Sequence, residues 1–393
     1  MFKGYPPQAF FCSVAFGAAV TCGAIFSGAV QAENWAWEPL VQLQFVQDNN
    51  VALSSTNKQS ATGTFFRPSA RLSRKTAISE ISLNGQVDWR RYFGGGDALD
   101  SDDYQTGIFL KRSNERNQWQ LGLDYGQHSA VSSEALDTGL LLSARERKRW
   151  VAAPSWTYQM DSRHSVRLSY AYHDVDYNTG SLSLVDYKYD DWNATYFYQL
   201  TEKDQLSVNL NFSEYDSDAI NVLSQSYGGT LGLTHQFSET LKGNVSLGNH
   251  RTNTDRGSAS FDANGVLYAM GLTKSRDKAT YEGSISSAVN PSGAGVLNQS
   301  DMINLVWKYR YSEKIDLVMQ GQRIRNQSTD SSSASTDRKY WSFSPAVNWW
   351  LTPELKMQFS YRRAEQKFDA SPNQAESDQW MIGLVYSGKR REF

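Results

Sequence analysis

The sequence predicts an all-β fold, an antiparallel up-and-down β-barrel of about eighteen strands, with sixteen as the next most favoured count. Three observations lead to this prediction. Apolar and polar residues alternate in many segments of about ten residues. After the N-terminus, no segment is apolar for long enough to form a membrane-spanning helix. Short polar turns also alternate with longer loops along the chain.

The first 32 residues differ from all that follow. They carry a single charge at Lys3, an apolar stretch over residues 10–26 and the small-residue ending Ala29-Val30-Gln31-Ala32. This order is typical of a secretory signal peptide, so we expect cleavage before Glu33 and a barrel over residues 33–393. A retained helix is disfavoured because glycine and serine interrupt the apolar stretch. Lipidation of Cys22 is disfavoured because the apolar stretch continues past it.

Composition excludes several classes of function. Both cysteines, Cys12 and Cys22, lie in the N-terminal segment, so the mature chain is expected to hold no disulfide, no zinc–thiolate site and no cysteine nucleophile. With 39 basic and 41 acidic residues, the charge balance gives no support to nucleic-acid binding. We expect neither a cofactor nor a metal. The 12 Trp, 21 Tyr and 18 Phe sit in a chain of polar mean hydropathy, which favours a fold that uses aromatics without a large core.

The strands are predicted from the two-residue period of their side chains. Residues 81–90 (ISLNGQVDWR) place apolar side chains on one face and polar ones on the other, as strand geometry requires. The same alternation occurs in residues 118–125, 166–173, 206–212, 303–310 and 355–362. Segments of this length cross a bilayer as tilted strands.

The connections between strands alternate in length. Short turns are predicted near residues 74–77, 113–117, 159–163, 201–204, 237–240, 274–278, 312–314 and 351–354. Longer loops are predicted near residues 47–61, 94–103, 129–146, 176–188, 215–225, 250–265, 290–300, 325–338 and 369–378. Short turns on one rim and long loops on the other indicate a bacterial outer-membrane barrel with periplasmic termini. A soluble sandwich or propeller would have no reason to keep turn lengths in phase.

Aromatic residues gather near the predicted strand ends, which indicates two interfacial girdles. Near the long-loop ends lie Trp89, Tyr92, Trp150, Trp192 and Trp341. Near the short-turn ends lie Trp119, Tyr158, Tyr198, Tyr311, Trp349 and Trp350. The alternative explanation, the ordinary preference of aromatics for strands, accounts for their number but not for their position.

The faces opposite the apolar ones are predicted to line the lumen. Their basic residues are Arg67, Arg71, Arg90, Lys111, Arg167, Lys308, Arg310, Lys356 and Arg362. Fewer acids share these faces, chiefly Asp88, Asp124, Glu282 and Asp316. A barrel of eighteen strands is wide enough for an aqueous channel, and a basic wall favours anions or acidic sugars. Alternatively, these charges only pair with one another. The loops are acidic and could bind divalent cations beside lipopolysaccharide, or simply be solvated.

The C-terminal segment carries a family resemblance. Residues 380–386 (WMIGLVY) alternate towards an aromatic residue, and the chain ends in Phe393. In this it resembles Gram-negative outer-membrane porin-like barrels, which implies an outer-membrane location, lipid and lipopolysaccharide as surroundings, and delivery by the barrel-assembly machinery. The polar residues 387–392 depart from the pattern, so either Tyr386 closes the barrel or the last strand runs farther. A looser resemblance, on Asp48-Asn49-Asn50-Val51, is to predicted porins of exopolysaccharide loci.

Three functions remain open from the sequence. The first is a passive diffusion channel for small anionic or sugar solutes, which could be linked to exopolysaccharide export. The second is a non-conducting structural or assembly barrel. The third, an outer-membrane hydrolase, has little support: His128, His173 and His250 lie near long-loop ends, but only His173-Asp174 approaches a catalytic group and no serine accompanies it. We therefore expect no enzyme. The permeant and the oligomeric state stay open.

The glycine-rich run Gly94-Gly95-Gly96 is the remaining motif. It lacks the following helix, the lysine and the serine or threonine of a phosphate-binding loop. We interpret it as a flexible turn at a strand end.

Overall fold

The computed structural model describes residues 35–93, 99–134, 137–139, 146–178, 184–330, 337–371 and 373–392. The signal peptide and its cleavage site lie outside the described residues and stay predictions. The same is true of Gly94-Gly95-Gly96 and of the terminal Phe393. Among the described residues, no helix combines the length and the apolarity that crossing a bilayer would require.

Within the described residues, eighteen long antiparallel strands form one closed barrel, which confirms the predicted fold and strand count. They are β1 (Trp35–Asp48), β2 (Ala61–Lys75), β3 (Ser79–Phe93), β4 (Ser101–Ser113), β5 (Asn117–Ser129), β6 (Glu146–Gln159), β7 (His164–Tyr177), β8 (Tyr187–Gln199), β9 (Asp204–Ser217), β10 (Val222–Ser238), β11 (Leu241–Arg256), β12 (Ala259–Ser275), β13 (Ala279–Ser292), β14 (Val296–Arg310), β15 (Ile315–Ser328), β16 (Arg338–Trp350), β17 (Leu355–Phe368) and β18 (Gln374–Ser387). A short helix, α1 (Ala130–Ser133), follows β5, and a 3-10 turn (Asp218–Ile220) follows β9.

The barrel closes between β1 and β18. Their register runs from Leu40 opposite Ser387 to Asp48 opposite Gln379. Beyond it the Gly388 N–H donates to the Pro39 carbonyl at 2.9 Å, and a two-residue strand, β19 (Arg391–Glu392), pairs with Ala36 and Trp37. Pairing with β1 therefore continues past Tyr386, to Ser387 in β18 and to Arg391 and Glu392 in β19, while which residue closes the functional signal stays a prediction. Closure leaves no sheet edge in the membrane, where unpaired backbone groups would be costly.

The outer face of the barrel is apolar because lipid, not a protein core, covers it. Leu231, Leu210, Leu247 and Leu305 are 67%, 63%, 62% and 58% exposed. Each belongs to the half of its strand's residues that points away from the lumen. In a soluble protein such side chains would be buried. Their exposure in a continuous band is the signature of a lipid-facing wall.

The strands are longer than the predicted ten residues, at 13 to 17 residues each. The loops predicted near 215–225, 250–265 and 290–300 were therefore too long. At the second of these, β11 runs to Arg256 and β12 begins at Ala259. Above the membrane both faces of these strands are polar, so the hydrophobic period disappears while the pairing continues. Inward hydroxyls then hold the strands together, as between Ser224 and Thr254 at 2.9 Å.

One pair of neighbours separates before its strands end. β12 and β13 are paired only from Ser275 opposite Thr280 to Tyr268 opposite Ser287. Above that point β12 stays with β11, while the upper part of β13 stays with β14 and leaves the wall. This separation allows the β13–β14 hairpin to bend into the lumen.

Candidate functional site: the barrel lumen

A loop crosses the lumen from one side of the barrel to the other. This crossing loop comprises residues 130–139, of which 135 and 136 lie outside the described residues. It leaves the wall at β5 and reaches β15, where the Asn326 amide donates to the Asp137 carbonyl at 2.8 Å. At its near end the loop contacts Arg147 of β6. In a ring of eighteen strands, β6 and β15 lie opposite each other. The loop therefore spans the full width of the barrel.

The near end of the crossing loop is fixed by a buried carboxylate. Glu134 is completely buried. It accepts hydrogen bonds from the Tyr177 hydroxyl at 2.9 Å and the Thr138 hydroxyl at 2.8 Å, and lies 3.4 Å from the Arg147 guanidinium. Arg147 also donates to the Tyr187 hydroxyl at 3.0 Å. A buried charge is tolerated only when its partners satisfy it, and here β6, β7 and β8 supply them.

The far end of the crossing loop depends on a glycine. Gly139 has φ of +72°, a conformation that L side chains rarely adopt, and a β-carbon there would lie 2.3 Å from Arg338 Nη1. The Gln366 amide donates to the Gly139 carbonyl at 3.4 Å and to the Leu53 carbonyl at 2.9 Å. Arg338 is buried, with its guanidinium 5.1 Å from the Tyr340 ring centroid. The loop thus ends against β16 and β17.

A second segment enters the lumen where β13 separates from β12. This inner hairpin comprises residues 288–297, and β14 stays paired with β15 as far as Asn298 opposite Ser328. The Tyr215 hydroxyl donates to the Ser292 carbonyl at 3.2 Å, and the Val185 N–H donates to the Gly293 carbonyl at 2.8 Å. Leu297 is completely buried in a cluster with Tyr215 and its neighbours on β7 to β10. The hairpin therefore packs across the lumen against strands far from it in the ring.

Two shorter loops complete the inward packing. Leu53, between β1 and β2, packs with Ile324 and Tyr340. Leu99, between β3 and β4, packs with Phe65 and Tyr92. Apolar side chains at the extracellular end of the lumen are thus buried by loops instead of meeting water. The extracellular half of the lumen is narrowed by four segments.

Asp137 is the titratable group where the crossing loop and the inner hairpin meet. Burial and the neighbouring Glu134 carboxylate raise the pKa of Asp137 to about 7, while Arg147 and Arg338 act in the opposite direction. The Arg147 guanidinium lies 3.7 Å from the Asp137 carboxylate, and Ser292 of the inner hairpin is a hydrogen-bond partner. The charge of this junction therefore changes near neutral pH.

The predicted basic residues of the upper wall are compensated by acids. Arg67 and Arg90 both contact Asp88 at 2.6 Å, and Arg90 lies 3.7 Å from Asp103. Arg362 in turn lies 3.8 Å from Asp48. These contacts span β1 to β4 and β17. Charges in such a network hold the wall together and contribute less to the field in the lumen.

The periplasmic half of the lumen is more open. Its ion pairs are looser: Arg71 with Glu80 at 3.3 Å, Lys308 with Glu282 at 3.0 Å and Arg310 with Asp316 at 3.9 Å, Arg310 being 70% exposed. Three further cations complete the predicted set, namely Lys111, Arg167 and Lys356. Among the described residues, no carboxylate lies within 4.0 Å of these three side chains.

The structure places all nine predicted lumen residues on the inward-facing half of their strands. The register shows this directly, because Arg67 is opposite Gln42, Lys111 is opposite Gln120 and Arg167 is opposite Thr195. Their role in permeation stays a prediction. The six predicted girdle tryptophans, which lie on the outward-facing half, are Trp89, Trp119, Trp150, Trp192, Trp341 and Trp349.

Two aromatics assigned to the girdles face the lumen instead. Tyr92 is buried against Phe65 with ring centroids 5.5 Å apart. The Trp350 indole N–H donates to Asp316 at 2.7 Å, and Lys356 Nζ lies 5.4 Å from its ring. Both stand beside an outward-facing aromatic or charged residue near a strand end. From the sequence alone, either of two adjacent residues of this kind could have been the one that faces outward.

Several lumen residues were missed by the sequence analysis. Arg147 and Arg149 alternate with Trp150, so the two-residue period could have identified them. Glu134, Asp137 and Arg338 gave no such signal, because their roles depend on a loop that folds back into the barrel. Arg149 Nη2 lies 3.1 Å from His173 Nδ1.

The catalytic alternative finds no support in the geometry. His173 faces the lumen opposite Tyr189, whereas Asp174, the next residue of β7, points to the outer face. His128 lies 3.9 Å from Asp103, which itself accepts from the Ser132 hydroxyl at 2.7 Å. That order places the acid, not the histidine, next to the serine, unlike a hydrolytic triad. The described residues contain no group of three metal-ligating side chains.

An even-numbered barrel with a lipid-facing apolar band, outward girdle tryptophans and short turns on the rim that holds both termini is an outer-membrane β-barrel. Among solved structures, the chain is similar to Pseudomonas aeruginosa OccK9 (OpdG), with a TM-score of 0.50 and 12% identity over 90% of this chain and 98% of that chain. It is also similar to Acinetobacter baumannii OccAB4, with a TM-score of 0.48 and 11% identity over 91% and 99%.

A third structure, Pseudomonas aeruginosa OccK2 (OpdF) in complex with glucuronate, aligns with a TM-score of 0.48 and 13% identity over 90% of this chain and 98% of that chain. At such identities the likeness concerns the fold alone. No protein-family model matches the sequence, and no curated protein sequence matches it significantly.

Proposed function

We propose that this chain is an outer-membrane channel for the passive diffusion of small anionic solutes. The observation that carries the proposal is the periplasmic half of the lumen, where no carboxylate among the described residues lies within 4.0 Å of Lys111, Arg167 or Lys356. Glu80, which is opposite Lys111 in register, pairs with Arg71 instead. Uncompensated cations on the wall of a water-filled pore concentrate anions and repel cations. The compensated upper wall contributes less to this selectivity.

The crossing loop sets the size of the proposed permeant. An eighteen-stranded barrel without inward loops would leave a wide aqueous channel. Here the crossing loop and the inner hairpin divide the extracellular half of the lumen. Small solutes are therefore the expected permeants, and folded proteins or long polymers are not.

The charge selectivity of the channel tests this proposal. Reversal potentials under a KCl gradient should show chloride preference in the wild type, weakening as salt screens the wall. The variant K111Q/R167Q/K356Q should lose most of that preference. The control K148Q/K188Q/K339Q removes three basic residues from the outer face and should retain it. Cation preference in the wild type, or an unchanged preference in the lumen variant, would contradict the proposal.

The second candidate is a non-conducting structural barrel. It is favoured by one observation, the packing of four inward segments into the extracellular half of the lumen. Correctly folded protein that shows no conductance in a planar bilayer, at any pH between 5 and 8, would establish this candidate and exclude the channel.

The association with exopolysaccharide export stays a prediction from sequence resemblance. A polysaccharide in transit would have to displace the crossing loop, because that loop spans the barrel between β6 and β15. If export depends on this chain, tying the loop in place should block the polymer while small ions still pass. A cysteine pair placed at the Asp137–Asn326 contact would provide the tie.

A further inference from the structure

Two arginines on the outer face of the described barrel form no ion pair within 4.0 Å. Five arginines of the strands point outward near the extracellular rim. Arg91 contacts Asp102 at 2.6 Å, Arg251 contacts Asp262 at 2.8 Å, and Arg363 contacts Glu365, Glu376 and Asp378 at 2.9, 2.9 and 3.3 Å. The other two are Arg323 and Arg325 of β15. Among the described residues, no carboxylate lies within 4.0 Å of either.

Both arginines stand at the upper edge of the lipid-facing band. Arg323 lies in register between Ile303 and Trp341, and the Trp341 indole N–H donates to Glu365 at 2.7 Å. Tryptophan in this orientation marks the headgroup level of a bilayer. Below Arg323 on the same face, Met319 is 42% exposed and apolar. Asp301 is opposite Arg325 in register, whereas the register neighbours of Arg323 carry no carboxylate, so the Arg323 guanidinium in particular is placed where lipid headgroups are available.

An open groove lies directly below Arg323. It measures about 590 Å³ and is lined by Leu305, Gly321, Phe343 and Tyr361, with Arg323 at its upper end. A β-carbon at Gly321 would meet no atom within 4 Å, so the glycine leaves the floor of the groove empty. Leu305 and Phe343, its neighbours in register across the sheet, form the two sides.

We propose that this groove, with Arg323 and Arg325 above it, binds one molecule of the phosphorylated glycolipid of the outer leaflet. Its phosphates would contact the two guanidinium groups and one of its acyl chains would occupy the groove. Arginine presents a planar fork that suits phosphate, and such charge-assisted hydrogen bonds are stronger than neutral ones. The outer leaflet supplies this lipid on the long-loop side of the barrel, where the site lies.

Binding of defined lipids to lipid-free, refolded full-length barrel tests the proposal. Native mass spectrometry should detect one tightly held bis-phosphorylated lipid A per barrel. The variant R323Q/R325Q should weaken that binding by about tenfold or more. The variant G321L, which fills the groove, should weaken it without changing charge. The control R251Q removes an outer-face arginine that is already paired with Asp262 and should bind as the wild type does.

Three outcomes would overturn the site. They are equal binding by R323Q/R325Q, equal binding of dephosphorylated lipid A by the wild type, and equal binding of phosphatidylglycerol, which would assign the site to phospholipid instead. Heat-modifiable migration on gels confirms that each variant is folded before binding is measured. The readout does not depend on conductance, so it stands apart from the channel proposal.

Discussion

Asp137 couples the anchoring of the crossing loop to pH. Its pKa is raised from 3.8 to about 7 when the loop is anchored, so the anchored state keeps a proton that a released, solvated loop would lose. Anchoring is then strongest at low pH and weakens as pH rises from about 4 to about 7. We expect channels to spend more time in a larger conductance state at pH 8 than at pH 5. The variant D137N, which cannot ionise, should show no such dependence in planar bilayers.

Gly139 provides a second residue-level prediction with a matched control. Both Gly139 and Gly257 have positive φ, +72° and +60°, so alanine imposes backbone strain of about 1–3 kcal/mol at either position. At Gly139 the new β-carbon would clash with Arg338 at 2.3 Å and Gln366 at 2.7 Å, whereas at Gly257 it would make only an ordinary contact with Asn221 at 3.9 Å. G139A should therefore release the loop and raise the mean single-channel conductance. G257A should leave conductance unchanged, and equal effects of the two would contradict this account of the anchor.

For individual residues, the sequence predicted which face of the strand a side chain occupies better than it predicted the residue with which that side chain pairs. Alternation placed Arg67, Lys308 and Arg362 on the lumen face because a strand fixes which way each side chain points. It did not identify Asp48 as the partner of Arg362, since β1 and β17 are distant in the chain. Nor did it show that Glu80, opposite Lys111 in register, would pair with Arg71 instead.

Among the secondary-structure elements, β18 and the short β19 can be tested separately by two C-terminal deletions. Deleting residues 388–393 removes β19 but keeps the nine register pairs between β18 and β1. That variant should still assemble and show heat-modifiable migration. Deleting residues 380–393 removes most of these pairs and exposes a row of unpaired backbone groups, so it should be degraded before insertion. Failure of the shorter deletion would instead assign an essential role to the terminal residues.

The elements themselves were predictable to different degrees. Phased turn lengths gave the strand count because each short turn marks one hairpin. The upper strand ends were not recovered, since β11 and β12 continue above the membrane with polar residues on both faces. The crossing loop and the inner hairpin could not be predicted from local patterns, because contacts such as Asn326 to Asp137 join residues far apart in the chain.

For the molecule as a whole, the barrel and its contents have separate physical origins. Lipid favours any closed wall with an apolar outer face, so the wall follows from composition and period alone. The contents of the lumen follow from apolar loop residues, such as Leu53 and Leu99, that would otherwise meet water. The wall is thus expected to tolerate changes in the inward loops.

The central claim is that this barrel is a channel narrowed by its crossing loop, and single-channel conductance tests it most directly. Residues 131–144 can be replaced by a short glycine–serine turn between β5 and β6, which keeps both strands and the barrel intact. We predict that the wild type conducts and that the variant, in the same salt, conducts several times more current per channel, as expected when a wide barrel loses its constriction. Equal conductance in the two proteins would contradict the assigned constriction, and an absence of conductance in both would contradict the channel itself.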